Sequence, residues 1–468
     1  GAARDTAFAP IEPDAPAWFS TTTGLPQCSV SLCAMSRAGT SSGPPGGNGT
    51  TNFTGLDGYA SWPAAGTENR RARKIGRSLV IVVDYYGMHA FSVMAKPVSA
   101  ACNLDCRYCY YLHRAERQPA RRMGRDVLEA YIRDTIAAQP GAPEIVFGWQ
   151  GGEPTLAGLE FFEEAVALQE RYRPATTRIV NALQTNGTLI DEDWTKFFRE
   201  HNFLVGLSLD GPAHFHDPLR RDLKGRASHA RAVRALALLQ RAGVEVNTLT
   251  VVHRLNYQHG REVYRFLRRL GSRHMQFIPL VERLTGDSRF AGPPADEPRA
   301  SIAPWTAPPE GFGKFLCDVF DDWRAKDVGR VFVQIFEEYA TVLAGLPARL
   351  CVFAADCRGT PILEANGELY SCDHYAYPGY RLGNILEAPV GELARCERQI
   401  EFGRAKTASL PEECARCEFL AACFGGCPKH RFSSTQAEEA RGNYLCPSYR
   451  RFFAHAASEL GRIVRGMH

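Results

Sequence analysis

"ACNLDCRYCYYL" (residues 101–112) sets thiols at Cys102, Cys106 and Cys109, separated by three and then two residues and followed at once by aromatics. This spacing lets one loop wrap around a single metal cluster. A four-iron cube held by three such thiolates keeps its fourth iron open to another ligand. A zinc ion would instead need a fourth protein ligand, for which His113 is the neighbouring candidate.

Working outward, the loop follows a candidate strand at 89–96, and further strands read at 144–149, 178–184, 203–209, 244–252 and 274–280. Helical patterns at 159–172, 230–243 and 260–271 lie between them. Six β/α units in series predict an α/β fold with a parallel sheet and helices outside, open or closed into a partial barrel. Functional residues then belong at the C-terminal strand ends. This partial (β/α)6 barrel is expected over 88–290. A Pro-rich loop at 291–311 opens a connecting helical segment, 291–350. A small cysteine-rich domain (351–450) and a C-terminal helix (451–468) complete the chain. The cysteine-rich part has little continuous apolar periodicity, so metal sites are expected to hold it together. Residues 1–87 include "AGTSSGPPGGNGTTNFTG" (38–55) and are expected to be a disordered extension outside the core, with Met88 as a candidate start.

Composition sets limits. The chain has 468 residues, 45% apolar and 23% charged, with a net charge of +4. So weak a charge makes no case for nucleic acid or a membrane surface. The apolar run "SLVIVV" (78–83) is far short of a bilayer span. Fifteen cysteines, an odd number clustered at short gaps, suit metal ligation in a reducing cytoplasm better than a disulfide scaffold.

Other segments carry chemistry. In "WQGGEPTL" (149–156), Gly151 and Gly152 permit close backbone approach, and Glu153 is an acceptor for an ammonium group. "LQTNGTLI" (183–190) and "GLSLDGP" (206–212) end the third and fourth strands, where Asn-Gly and Asp-Gly-Pro are also ordinary turn chemistry. Asn247, on the fifth strand, is a further polar candidate. Toward the C-terminus, Cys357, Gly367 and Cys372 precede Cys414, Cys417, Cys423, Cys427 and Cys446. Cys351 supplies an eighth thiol, enough for two fully ligated cubes. A zinc ribbon needs paired CxxC knuckles, and only Cys414 and Cys417 form one. Cys28, Cys33, Cys317 and Cys396 are left as plain thiols.

"CNLDCRYCYY" resembles the signature of the radical S-adenosylmethionine (SAM) enzymes, and the later cysteines resemble, gap for gap, the SPASM domains. A finer resemblance, to anaerobic sulfatase-maturating enzymes, covers residues 88–468 through "MAKPVSAACNLDCRYCYYL", "FGWQGGEPTLAGLEFF", "LQTNGTLID", "LSLDGP" and "QFIPLVER". The resemblance implies three [4Fe–4S] clusters and SAM as cofactors. SAM would chelate the open iron and be cleaved to a 5′-deoxyadenosyl radical. By the same resemblance the GGEP segment holds the SAM amine, and Ser208 and Arg220 contact its carboxylate. One auxiliary cluster would use Cys351, Cys357, Cys372 and Cys427, and the other Cys414, Cys417, Cys423 and Cys446.

The implied reaction oxidises the Cys or Ser of a Cys/Ser-x-Pro-x-Arg motif in a sulfatase to Cα-formylglycine. Asp373 matches the family's general base, and Tyr111 and Gln150 match positions that contact the substrate peptide. The implied partners are an unfolded or nascent sulfatase and an electron donor such as a flavodoxin or ferredoxin, in the cytoplasm. Bland alternatives stay open at this point. Asp373 also suits a turn or an outer hydrogen-bond acceptor, Tyr111 a core aromatic, and Gln150 a brace for the GGEP loop. Rival functions are a peptide maturase forming thioether or carbon–carbon crosslinks, and a non-catalytic iron–sulfur or zinc protein.

Overall fold

A computed structural model describes residues 91–112, 121–433 and 442–466. The expected extension (1–87), Cys28, Cys33 and His113 lie outside the described residues. The strands in chain order are β1 (Met94–Ala95), β2 (Leu104–Cys106), β3 (Glu144–Trp149), β4 (Arg178–Thr185), β5 (Phe203–Ser208), β6 (Arg220–Asp222), β7 (Glu245–Val252), β8 (His274–Pro279), β9 (Arg283–Leu284), β10 (Ser301–Ile302), β11 (Phe332–Val333), β12 (Ile362–Leu363), β13 (Glu368–Tyr370), β14 (Arg381–Asn384), β15 (Arg431–Ser433) and β16 (Gly442–Asn443).

One ten-stranded sheet runs β11-β8-β7-β5-β4-β3-β1-β12-β13-β14. From β11 to β12 every pairing is parallel, while β12, β13 and β14 pair antiparallel. Parallel strands need crossovers, and helices 125–137, 159–172, 192–200, 229–241, 260–269 and 311–326 supply them. The sheet stays open, with β11 and β14 at its edges.

Strand β3, "EIVFGW", is nearly continuous in apolar residues, as a strand covered on both faces must be. Its Trp149 packs edge-on against Tyr131, Phe161 and Phe162 of the covering helices. The opposite face carries Ala182, Leu204, Leu249 and Ile278 in a small separate cluster. Side chains alternate along a strand, so Gln184 shares this inner face with Ala182, Ser208 with Leu204, and Asn247 with Leu249.

Boundaries match the sequence expectation closely, with two corrections. Among the described residues the first strand is only Met94–Ala95, and Pro97 with the loop that follows takes the chain off the sheet at its C-terminal end. The last helix begins at Cys446, not 451, so a predicted cluster ligand occupies its first turn. The cysteine-rich region also contributes three strands to the main sheet.

Candidate active site

The three-cysteine loop is pinned from two sides. Strand β2 pairs antiparallel with β6, setting Cys106 opposite Arg220 and Leu104 opposite Asp222. Leu104, Cys106, Tyr108, Leu219 and Leu280 form an apolar cluster, against which Cys102, Cys109, Val251 and Trp305 pack. On the other side, Gly152 N–H donates to Ser99 O and Glu153 N–H to Ala101 O, both at 2.8 Å. A Cβ on Gly152 would lie 2.0 Å from Ala101 O, and Gly151 has φ +133°. Only glycine lets the GGEP loop approach this closely.

Glu153 is 1% exposed, and burial raises its pKa against four hydrogen bonds. Its Oε1 accepts from Thr155 N, Thr155 Oγ1 and Thr185 Oγ1, and its Oε2 from Asn186 N at 2.7 Å. A carboxylate has about four lone-pair sites, so Oε2 keeps room for an incoming ammonium. Burial pushes the Cys102 thiol up to about 12, helped by Glu153, and Cys106 up to about 12 against the opposing Arg220 guanidinium.

Arg220 is anchored through a buried chain. Its Nη1 donates to Tyr108 OH at 2.7 Å, and that hydroxyl donates to Asp210 Oδ2 at 2.6 Å. His216 takes a hydrogen bond from Asp210 N and meets Ser228 Oγ at 2.9 Å, and Ser228 Oγ donates to Arg220 O. Burial holds the His216 pKa down at about 3, so its ring is neutral. Arg220 Nε, Asn247 Oδ1 and His253 Nε2 are buried with no partner among the described residues. Buried polar atoms are normally satisfied, so these three could pair with the donor and acceptor groups of a guest. Ser208, half-buried, ends β5 on the same face. Asn247 lies deeper, since Ser208 registers with Leu249, two positions further along β7.

A second constellation lies where β1, β3 and the cysteine-rich region meet. Lys96 Nζ donates to Asp373 Oδ1 at 2.6 Å and to Gln150 Oε1 at 3.3 Å, and lies 4.5 Å from the Tyr111 ring centre. Tyr110 OH donates to Asp373 Oδ2. Gln150 Nε2 donates to Gln184 Oε1, and Tyr111 OH to Glu364 Oε1 at 2.6 Å. Lys429, two residues after Cys427, pairs with Glu282 and covers the Tyr110 ring. The structure thus brings Asp373, Gln150 and Tyr111 together around Lys96. Neither Lys96 nor Tyr110 is singled out by sequence reasoning. A lone Lys ending an apolar strand in "SVMAKP" is a local hint, and nothing in it points to Asp373.

The remaining cysteines fall into two groups. Burial raises Cys351 to about 11 and Cys357 to about 12, with Cys427 adding to both, and Cys372 responds to Cys427, Cys351 and Cys357. Burial likewise raises Cys414, Cys423 and Cys446, which are coupled through one another and Cys417. The thirteen cysteines among the described residues are all free. No three His, Cys, Asp or Glu side chains among those residues converge on a single metal ion, whereas a cube takes one thiolate per iron. Free thiols at these short spacings suit iron–sulfur clusters. Cys317 is buried in a helix and Cys396 caps one, so neither joins a set.

The radical SAM superfamily pattern matches residues 97–267, and that of an iron–sulfur cluster-binding (SPASM) domain matches 357–418. A serine-type anaerobic sulfatase-maturating enzyme of Bacteroides thetaiotaomicron is 41% identical over 370 residues, covering 78% of this chain and 89% of that protein. A cysteine-type enzyme of Clostridium perfringens is 34% identical over 386 residues, covering 81% of this chain and all of that protein. The solved structure of native anSMEcpe with bound AdoMet and Cp18Cys peptide superposes with a TM-score of 0.71 at 33% identity, over 81% of this chain and 99% of the other. Fold and site define a radical SAM enzyme with a SPASM iron–sulfur domain, an oxidoreductase that modifies protein. The chain belongs to the anaerobic sulfatase-maturating enzyme family.

Proposed function

We propose that the chain oxidises the Cys or Ser of a Cys/Ser-x-Pro-x-Arg motif in a sulfatase polypeptide to Cα-formylglycine. The observation that carries this reading is the buried Asp373 carboxylate, held by Lys96 and Tyr110 directly after Cys372. When bound, SAM and its cluster supply a radical that takes one hydrogen atom from the substrate Cβ, and two auxiliary clusters supply an acceptor for the electron left behind. Asp373 takes the accompanying proton. A Cys substrate yields a thioaldehyde that water hydrolyses, with loss of hydrogen sulfide, and a Ser substrate yields the aldehyde directly.

Cys102, Cys106 and Cys109 hold the cluster to which SAM binds. Glu153 Oε2 takes the SAM ammonium, and Arg220 with Ser208 its carboxylate. Asn247 lines the pocket below. Gln150 and Tyr111 orient the peptide next to Asp373. Free thiols among the described residues suit a reducing cytoplasm, with a flavodoxin or ferredoxin as reductant. No helix of the described residues is long and apolar enough to cross a membrane.

The test is anaerobic. Reconstituted protein, SAM and a reductant are incubated with peptides carrying Cys-x-Pro-x-Arg or Ser-x-Pro-x-Arg, and mass spectrometry reads aldehyde alongside 5′-deoxyadenosine. Aldehyde supports the reading and identifies the preferred residue. Deoxyadenosine with neither peptide altered moves the substrate to another peptide class, such as one receiving a crosslink.

A further inference from the structure

Arg431 is 7% exposed, and its guanidinium is saturated by neutral acceptors. Nη1 donates to Lys406 O at 2.7 Å and Ser409 Oγ at 3.1 Å, Nη2 to Phe424 O at 2.8 Å and Gly426 O at 3.4 Å, and Nε to Gly425 O at 3.1 Å. Among the described residues no carboxylate pairs with it.

Three of those carbonyls belong to "FGG" (424–426), the link between Cys423 and Cys427. All three residues have positive φ, at 43°, 70° and 63°. Such backbone is strained at a non-glycine residue, here Phe424. A Cβ on Gly425 would lie 2.8 Å from Arg431 Nη2, so the link is moulded to the guanidinium. Cys423 belongs to one cysteine quartet and Cys427 to the other.

Next to it, Lys406 is 1% exposed, with Nζ donating to Cys351 O, Val352 O and Ala354 O. It too lacks a carboxylate among the described residues. Two buried cations without a counter-charge are costly. The groups that can bring negative charge to them are the neighbouring cysteines, once deprotonated as cluster ligands. Cys414, Cys427 and Cys423 act on Arg431, and Cys357, Cys351 and Cys427 on Lys406.

We propose that Arg431 is the fixed positive charge shared by the two SPASM cysteine quartets, and that it sets the reduction potential of the clusters they hold. The inference rests on the two-cluster part of the proposed function. A cube bound by four thiolates is net negative, and an added electron makes it more so. A buried guanidinium, always charged, favours that reduced form and raises the potential. The clusters thereby become better acceptors for the electron left on the substrate.

The test is a redox titration of the anaerobically reconstituted full chain, followed by electron paramagnetic resonance, for Arg431→Gln and Arg431→Lys. Gln keeps hydrogen-bond donors without the charge, and Lys keeps the charge. The expected result is a more negative potential for both auxiliary clusters in the Gln variant, little shift in the Lys variant, and an unmoved SAM-binding cluster in both. Unchanged potentials in the Gln variant, or equal shifts in the two variants, overturn the proposal. If the Gln variant takes up no iron, Lys406→Gln carries the test. It is then expected to make the potential of the Cys351-quartet cluster more negative and to move the other cluster, which it reaches through Cys423, by less, and no shift in either overturns the proposal. Wild-type chain that loads about four irons instead of about twelve overturns the cluster count and this inference with it. Shifted potentials in a chain that modifies neither sulfatase peptide sustain the inference and sink the substrate assignment alone.

Discussion

The Lys96 ammonium lies 2.6 Å from Asp373 Oδ1, joining the end of the first barrel strand to the residue after a cluster cysteine, 277 positions later in the chain. Both partners are buried, so this is a charge pair whose removal on one side strands the other. Tyr110 occupies the second carboxylate oxygen. The proposed acceptor for the substrate proton is thus held rigidly, with Gln150 tied to the same ammonium.

Asp373→Asn is expected to lower aldehyde formation by about 10²- to 10⁴-fold, the usual contribution of a general base. Formation of 5′-deoxyadenosine should persist. Lys96→Met should uncouple the two products in the same sense and lower stability by about 3–5 kcal/mol, as loss of one partner of a buried pair does. Product ratios by mass spectrometry and a denaturant titration check both. Parallel loss of deoxyadenosine would place Lys96 in the cofactor site instead.

Gly152→Ala should be severe despite its small size. The added methyl meets the Ala101 carbonyl at 2.0 Å, so the GGEP loop must lift from the segment entering the cysteine loop. A displacement of about 1 Å in such a site costs about 10²-fold in rate. SAM cleavage without peptide is the assay.

Arg220→Lys keeps the charge but loses the planar fork that holds Tyr108 and, in the proposed function, the SAM carboxylate. The affinity for SAM is expected to fall by about 10- to 100-fold, the scale of a hydrogen bond to a charged group. Iron content should be unchanged, because Arg220 is not a ligand. Equilibrium binding and iron analysis together read this.

His216 supplies a pH dependence. Its folded pKa is held near 3 by burial, against about 6.5 in an unfolded chain. The unfolded state therefore binds the extra proton first, and stability is lost as pH falls from about 6.5 toward 3. His253, held at about 4, acts in the same direction. His216→Gln should flatten that slope in denaturant midpoints measured on the metal-free chain.

Period and punctuation made the barrel legible. Strands such as 144–149 and 274–279 are short apolar runs bounded by turns, and helix 159–172 carries its own amphipathic pattern. The close approach of the GGEP turn to the segment before the cysteine loop was equally readable, since its glycine pair permits it. Lys96 was not, because its meaning comes from Asp373, which no local pattern connects to it. Asp210 read as turn chemistry and serves instead as the acceptor that fixes Tyr108 under Arg220. Arg431 was silent for the same reason: its partners are backbone carbonyls, which every sequence has.

Strand β12 hydrogen-bonds alongside β1, with Met94 opposite Ile362 and Ala95 opposite Leu363. A barrel expressed without the cysteine-rich segment would expose β1 as a raw sheet edge, a template for aggregation. The β1 edge therefore stays unpaired until synthesis has passed residue 363. Truncated versions are expected to precipitate, and the intact chain to melt in one cooperative step.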